Sequence, residues 1–268
     1  MTRFIHLTDL HISHPDLEDT HLQSDTPATL RRVVEAINGM DPQPDFVAIS
    51  GDLTNHGDVE SYRLVNELLS PLKAPVMLAL GNHDKREGFN AIFSEGMGDT
   101  PYFHDAVHSD LHVITLDSAV PGRIAGAIDD AQFDYLEQAL TRHSDVTKLV
   151  MVHHPPWVDP NELTWASLDA QSTDRLAKAL QGRDVAAILT GHIHVNRVSH
   201  WHGIPVIVAN GQHSTVDQLR PDVMRVVEGT GFAICDWRPS GLTVSFVPLS
   251  PDQKEIAVVD GDRVRAFQ

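Results

Sequence analysis

Cysteine is nearly absent from this chain of 268 residues: Cys235 stands alone. One thiol cannot close an internal disulfide, which suits a reducing compartment. Its neighbours Phe232-Ala233-Ile234 mark it as a small buried hydrophobe. No apolar run reaches 18 residues, so no helical membrane span is expected. The chain enters its first strand by Phe4, which leaves no room for a secretion signal, and the cytoplasm is the expected location. Positive charge is also scarce: 20 Lys and Arg stand against 37 Asp and Glu, a formal charge of −17. That balance argues against a surface that coats nucleic acid or docks on an anionic membrane, since both need a basic patch. The expected partner is a small molecule, and bound cations would let an acidic protein accept even an anionic one.

Histidine is what the chain has in excess, 17 residues against those 20 Lys and Arg. Apolar content of 41% and charged content of 21% are otherwise ordinary for a globular protein. The length fits one large domain over 1–268. Short apolar runs at Phe4-Ile5-His6-Leu7, Phe46-Val47-Ala48-Ile49, 76–80, 111–116, 149–152 and 186–189 read as strands. Helices are expected between them: from Thr26-Pro27 to Asn38-Gly39, after Asp58, within 85–100, from Asp129, and over 173–180. Gln132, three residues after Asp129, predicts a capping box. After residue 195 helical period disappears and short alternating strands take over. Residues 1–194 therefore read as the core, and 195–268 as a second sheet packed on it.

Five motifs follow the apolar runs: Asp9-x-His11, Gly51-Asp52, Gly81-Asn82-His83-Asp84, His153-His154 and Gly191-His192-x-His194. Alternating strands and helices predict a mostly parallel sheet, in which ligands gather at the C-terminal strand ends. Every motif stands at such an end, so five distant segments are expected to meet on one edge. In extended backbone, residues i and i+2 point the same way, so Asp9 with His11, and His192 with His194, are each expected to reach one site. Carboxylate, imidazole and amide oxygen without thiolate suit Zn, Mn, Fe or Co. Seven protein ligands are too many for one tetrahedral ion with an open position. Two ions sharing a bridging carboxylate, roughly 3.5–4 Å apart, would clamp both oxygens of a phosphoryl displacement.

The ordered set of motifs resembles the calcineurin-like metallophosphoesterase superfamily. Asp9-Leu10-His11, Gly51-Asp52-Leu53-Thr54, His153-His154-Pro155-Pro156 and Gly191-His192-Ile193-His194 resemble the class III cyclic nucleotide phosphodiesterases and their glycerophosphodiesterase relatives. The resemblance implies an α/β fold, a four-layer αββα sandwich of two mixed sheets flanked by helices. It implies two divalent metal ions (Fe, Mn, Zn or Co), with Asp9, His11, Asp52 and His194 on one and Asp52, Asn82, His153 and His192 on the other, so that Asp52 bridges. Asn55 stands where a purple acid phosphatase would carry a metal-binding tyrosine and where class III relatives often carry aspartate. No arginine follows Asp52 as in the phosphoprotein phosphatases.

By resemblance His83 contacts substrate phosphate and protonates the leaving alkoxide, with Asp84 orienting its ring. Asn82 and His213, in Asn210-Gly211-Gln212-His213, are further substrate contacts, and His154 supports the ligands rather than joining them. The nucleophile expected is a metal-bound hydroxide. His14 and His21, with Trp157 and Trp165, lie in the loops expected to line the entrance, while the acidic loop 16–19 reads as solvated. The implied reaction is hydrolysis of small phosphodiesters, 3′,5′-cyclic nucleotides or glycerophosphodiesters. The resemblance also implies a homo-oligomer assembled through the late strands.

Overall fold

A computed structural model of the chain describes residues 1–17, 19, 22, 24–161, 163–220, 222–249 and 255–266. The first half runs β1 (Thr2–Leu7), α1 (Thr26–Asn38), β2 (Phe46–Ile49), α2 (Val59–Leu69), β3 (Val76–Leu78), α3 (Arg86–Phe93), β4 (His104–His108), β5 (Leu111–Thr115) and α4 (Asp130–Thr141). There follow β6 (Thr147–Met151), α5 (Ala170–Leu180), β7 (Val185–Thr190), β8 (Arg197–Trp201) and β9 (Ile204–Val208). The late elements are β10 (Thr215–Val216), β11 (Val223–Val227), β12 (Gly231–Arg238), β13 (Gly241–Pro248), β14 (Glu255–Asp260) and α6 (Gly261–Arg265).

Alternation at period two divides each central strand between two apolar layers. In β1, Phe4 faces inward between the sheets, while Ile5 and Leu7 face outward to helices. In β2, Phe46 and Ala48 take the first side and Val47 and Ile49 the second. The same split separates Leu149 and Met151 from Val150, and Ala187 and Leu189 from Ile188. The outcome is one sheet ordered β13-β12-β1-β2-β3 and another ordered β4-β5-β6-β7-β9-β8. They pack face to face through Phe4, Met77, Val113 and Ile207 among others. Helices α1 and α2 cover the first sheet with Leu30, Val33, Tyr62 and Val65, and α4 and α5 cover the second with Phe133, Leu136 and Leu176. Each fully buried aliphatic side chain contributes about 1.5–3 kcal/mol. The four-layer αββα arrangement of two mixed sheets is therefore the fold.

Strands β1-β2-β3 are parallel, as are β5-β6-β7-β9, so their C-terminal ends share one edge. Helix starts follow local chemistry: Asp25, Asp58, Asp129 and Asp169 each accept a backbone N–H at an N-terminus. The capping box at Asp129 is only half made. Asp129 accepts from Gln132 N at 2.9 Å, but the Gln132 amide turns to the Asp117 backbone, accepting at 2.7 Å and donating at 2.8 Å. Tertiary pairing at the end of β5 thus outcompetes the local motif.

The late strands differ from expectation. They do not form a separate second sheet: β12 and β13 complete the first large sheet, and β8 and β9 complete the other. Among the described residues, β10-β11-β14 make a small sheet of their own. Strand pairing lets β12 lie antiparallel beside β1 although they are far apart in sequence, which no local pattern announces.

Candidate metal centre

The motif residues leave their strands in an unusual conformation. Asp9, His11, Asp52, His192 and His194 all have positive φ, between 46° and 73°. Such backbone costs on the order of 1–3 kcal/mol per non-glycine residue and persists where surroundings enforce it. The i, i+2 pairs therefore reach one site through left-handed turns and not through a pleat, which corrects the extended-backbone expectation. Backbone bonds lock these turns together: Asp9 N to Gly51 O at 3.0 Å, His11 N to Asp52 O at 3.0 Å, and Gly191 N to His153 O at 2.8 Å. The glycines of the motifs are spacers. A Cβ on Gly191 would stand 1.8 Å from Thr8 Oγ1, and one on Gly81 would stand 2.3 Å from Asp52 Oδ1.

The loops bring Asp9, His11, Asp52, His153 and His194 into contact. Asp52 Oδ2 lies 3.2 Å from His153 Nε2 and 3.7 Å from His11 Nε2. Asp9 Oδ1 lies 3.2 Å from His194 Nε2, 3.9 Å from His11 Nε2 and 4.0 Å from His153 Nε2. His11 Nε2 and His194 Nε2 are 3.2 Å apart. His192 joins through its backbone, donating to both Asp9 oxygens at 3.1–3.2 Å, and its ring packs on His153. Asn82 lines the same cavity as Asp52 and His192.

Outer partners set which ring nitrogen faces inward. His153 Nδ1 donates to Ser50 O at 2.9 Å and His192 Nε2 donates to Trp165 O at 2.8 Å. A carbonyl only accepts, so the proton sits on the outer nitrogen and the inner one keeps its lone pair for a ligand. His11 obeys the same rule through Asn55: Oδ1 accepts from His11 Nδ1 at 2.8 Å while the amide nitrogen is held by Asp19. Asp19 is consequently not solvated, with 5% of its side chain exposed, whereas Asp16 is 91% exposed.

These residues fit a metal. Asn82 Oδ1 and His153 Nε2 are buried without a hydrogen bond. Each such group costs about 1–3 kcal/mol unless something coordinates it. Burial pushes the Asp9 and Asp52 carboxyls up, but the charges of His194 and His153 beside them more than offset it, and both stay below the ordinary carboxylate range. His153 is likewise lowered by burial, yet Asp52 and Asp9 lift it to about 9. The anionic pair draws positive charge to the inner nitrogen, the place a cation would take from the proton. Burial holds His11 near 3 and His192 near 4, so both rings are neutral and able to ligate.

The remaining candidates divide. His213 stands at the cluster, its ring centroid 4.4 Å from that of His11 and 5.0 Å from that of His194. His83 is exposed to the cavity, with Nδ1 donating to Asn55 O at 3.0 Å. Asp84 does not orient the His83 ring, which corrects that expectation. Its carboxylate accepts from Gly81 N, Tyr62 Oη, Leu53 N and Thr54 N at 2.9–3.1 Å, because it is buried between the loops after β2 and β3. Burial and the Asp52 charge raise it to about 6. His154 has both nitrogens engaged, with Ser118 Oγ at 2.7 Å and Ile124 O at 2.8 Å, so it packs behind the cluster. Of the expected entrance residues, Trp165 lines the cavity and Trp157 does not; His14 meets Asp16, and His21 lies outside the described residues. Asn55 as the partner of both His11 and His83 was not foreseen. Its position three residues after Asp52 was the available signal.

The family model for calcineurin-like phosphoesterase matches residues 2–196. A probable cyclic nucleotide phosphodiesterase of Rhodococcus erythropolis is 34% identical over 219 residues, covering 80% of this chain and 71% of that protein. A probable glycerophosphodiester phosphodiesterase, GpdQ, of Arcobacter nitrofigilis is 29% identical over 228 residues, 77% of this chain and 81% of its own length. Among solved structures, a dimetal phosphatase from Danio rerio superposes with a TM-score of 0.64 at 14% identity, covering 93% of this chain and 99% of its own. That likeness concerns the fold.

Proposed function

The chain belongs to the calcineurin-like phosphoesterase family, and from that premise we propose that it is a dinuclear-metal phosphodiesterase of small phosphodiesters, with 3′,5′-cyclic nucleotides first among them. The observation that carries this reading is Asp52: one buried carboxylate between His11 and His153, in the cavity that the unpartnered Asn82 also lines. In this reading Asp9, His11, Asp52 and His194 would hold one ion, and Asp52, Asn82, His153 and His192 would hold the other. Such ions supply Lewis acidity and an activated water near neutral pH.

The protein's own groups then have separate tasks. Asn82, His83 and His213, which line one cavity, bind the phosphate. With Nδ1 committed to Asn55 O, His83 presents Nε2 to the cavity, and its protonated form donates from that atom to the departing alkoxide. Asn55 keeps both His11 and His83 in place. Asp84 acts at one remove, by tying the two loops that carry Asp52 and Asn82. A glycerophosphodiester substrate is the second reading, favoured by the similarity to GpdQ.

A cytoplasmic location accords with a single buried cysteine, and no described helix is long and apolar enough to cross a membrane. A homo-oligomer remains part of the proposal. The test joins metal analysis to a panel of bis(4-nitrophenyl) phosphate, its monoester, cyclic AMP and glycerophosphoethanolamine. Two metals per chain and turnover of a diester above the monoester are expected. A faster monoester would sink the diesterase reading.

A further inference from the structure

The cavity above the cluster reaches far beyond it. Its volume is about 820 Å³, well above what a phosphate with one small polar alcohol fills. Its far side is the small sheet β10-β11-β14, and register shows which face looks inward. Val216 pairs with Val226, and Val226 with Ala257, so these three form one row across the strands. Met224 pairs with Val259 in the next row on the same face. All five line the cavity, together with Val264 of α6. Between the rows, Arg225 and Val258 point away, and Val258 is 53% exposed.

The central strands of both large sheets bury their apolar faces against helices or each other. Here Val216, Met224, Val226 and Val259 are only half-buried, so the face is left open toward the cavity. Leu163, Trp165 and Ile193 add further apolar lining. Trp165 fastens the chamber together: its carbonyl accepts from His192 Nε2 at 2.8 Å and its Nε1 donates to Val264 O at 2.7 Å. A chamber with one aliphatic wall, and with Arg197, Asp217, Arg220 and Arg265 also in its lining, thus adjoins the cluster floor. Pockets of this make-up take an apolar body oriented by a few polar groups.

We propose that the inner face of this C-terminal sheet is the specificity wall of the enzyme, binding the organic ester group of the substrate when that group is a large flat ring, a nucleobase or an aryl. The proposal rests on the phosphodiesterase reading above and narrows it. A glycerol-sized alcohol leaves the wall wet and gains little from it. A ring held there removes apolar area from water while the phosphate stays at the cluster.

The test measures binding, by calorimetry on the metal-loaded protein, of diphenyl phosphate and of dimethyl phosphate. Met224→Ser with Val259→Ser should weaken diphenyl phosphate about tenfold and leave dimethyl phosphate within about twofold. Val258→Ser, on the outer face of the same strand, should change neither. Should the double variant not fold, Val216→Ser carries the same comparison. Equal weakening of both ligands, or of neither, overturns the wall. Hydrolysis of bis(4-nitrophenyl) phosphate by the unaltered protein is followed separately. Its absence, with ring-dependent binding intact, would overturn the enzymatic reading and leave the wall standing.

Discussion

The floor and the far wall of one cavity are built on opposite principles. The floor is buried and polar, and five of its residues are in left-handed backbone held by glycine spacers and cross-loop bonds. The wall is antiparallel strand, half-exposed, with aliphatic side chains and one register shift at Val226/Val227. Strain stored in the floor implies that several elements must agree before any ligand moves, so substitutions there should be severe and coupled. The wall carries no such strain, and its residues can change one at a time. The contrast teaches where chemistry is kept and where selectivity can drift.

The largest effect that would sharpen this contrast is expected from Asp52→Asn. It removes the charge between His11 and His153 and should lower kcat by about 10²–10³-fold or more. Metal content measured on the purified variant should fall with it, and full content would break the bridging assignment. Next comes His83→Ala. Metal should be retained, while the rate with alkoxide leaving groups drops about 10²–10⁴-fold. The rate with 4-nitrophenoxide, which departs without a proton, should change far less. Equal loss on both would remove the acid role. Asn55→Ala should act through His11, weakening metal binding about 10–100-fold in a chelator competition. Unchanged affinity would show that the His11 ring needs no partner. All three lie at the floor, and the wall variants described above should stay below them in effect.

Much of this architecture could be read from the chain. Runs such as Phe46-Val47-Ala48-Ile49 alternate between two apolar layers, and each ends in a residue type that no core requires. Parallel order then forces those ends together, so Asp9, His11, Asp52, His153 and His194 were all legible as one cluster. Asp84 was misread for a physical reason. Its partners Leu53, Thr54 and Tyr62 lie 22 to 31 residues earlier, in a loop and a helix whose approach no spacing encodes. Asp19 was misread likewise, because a carboxylate in a polar loop looks solvated until Asn55 and His56 close over it. The capping box at Asp129 failed because Gln132 found a better pair in the Asp117 backbone.

What the amino-acid order alone determined was which residues cluster and the edge on which they meet, since both follow from side-chain type and the order of the strands. The tertiary structure decided the rest. It made the ligand turns left-handed, gave Asn55 rather than Asp84 to the His83 ring, and divided the late strands among three sheets. It also brought β10, β11 and β14 to the cavity above the cluster, where their aliphatic residues line a chamber. Those outcomes depend on packing between segments remote in sequence, where cross-strand register and competition for hydrogen bonds outweigh any local preference.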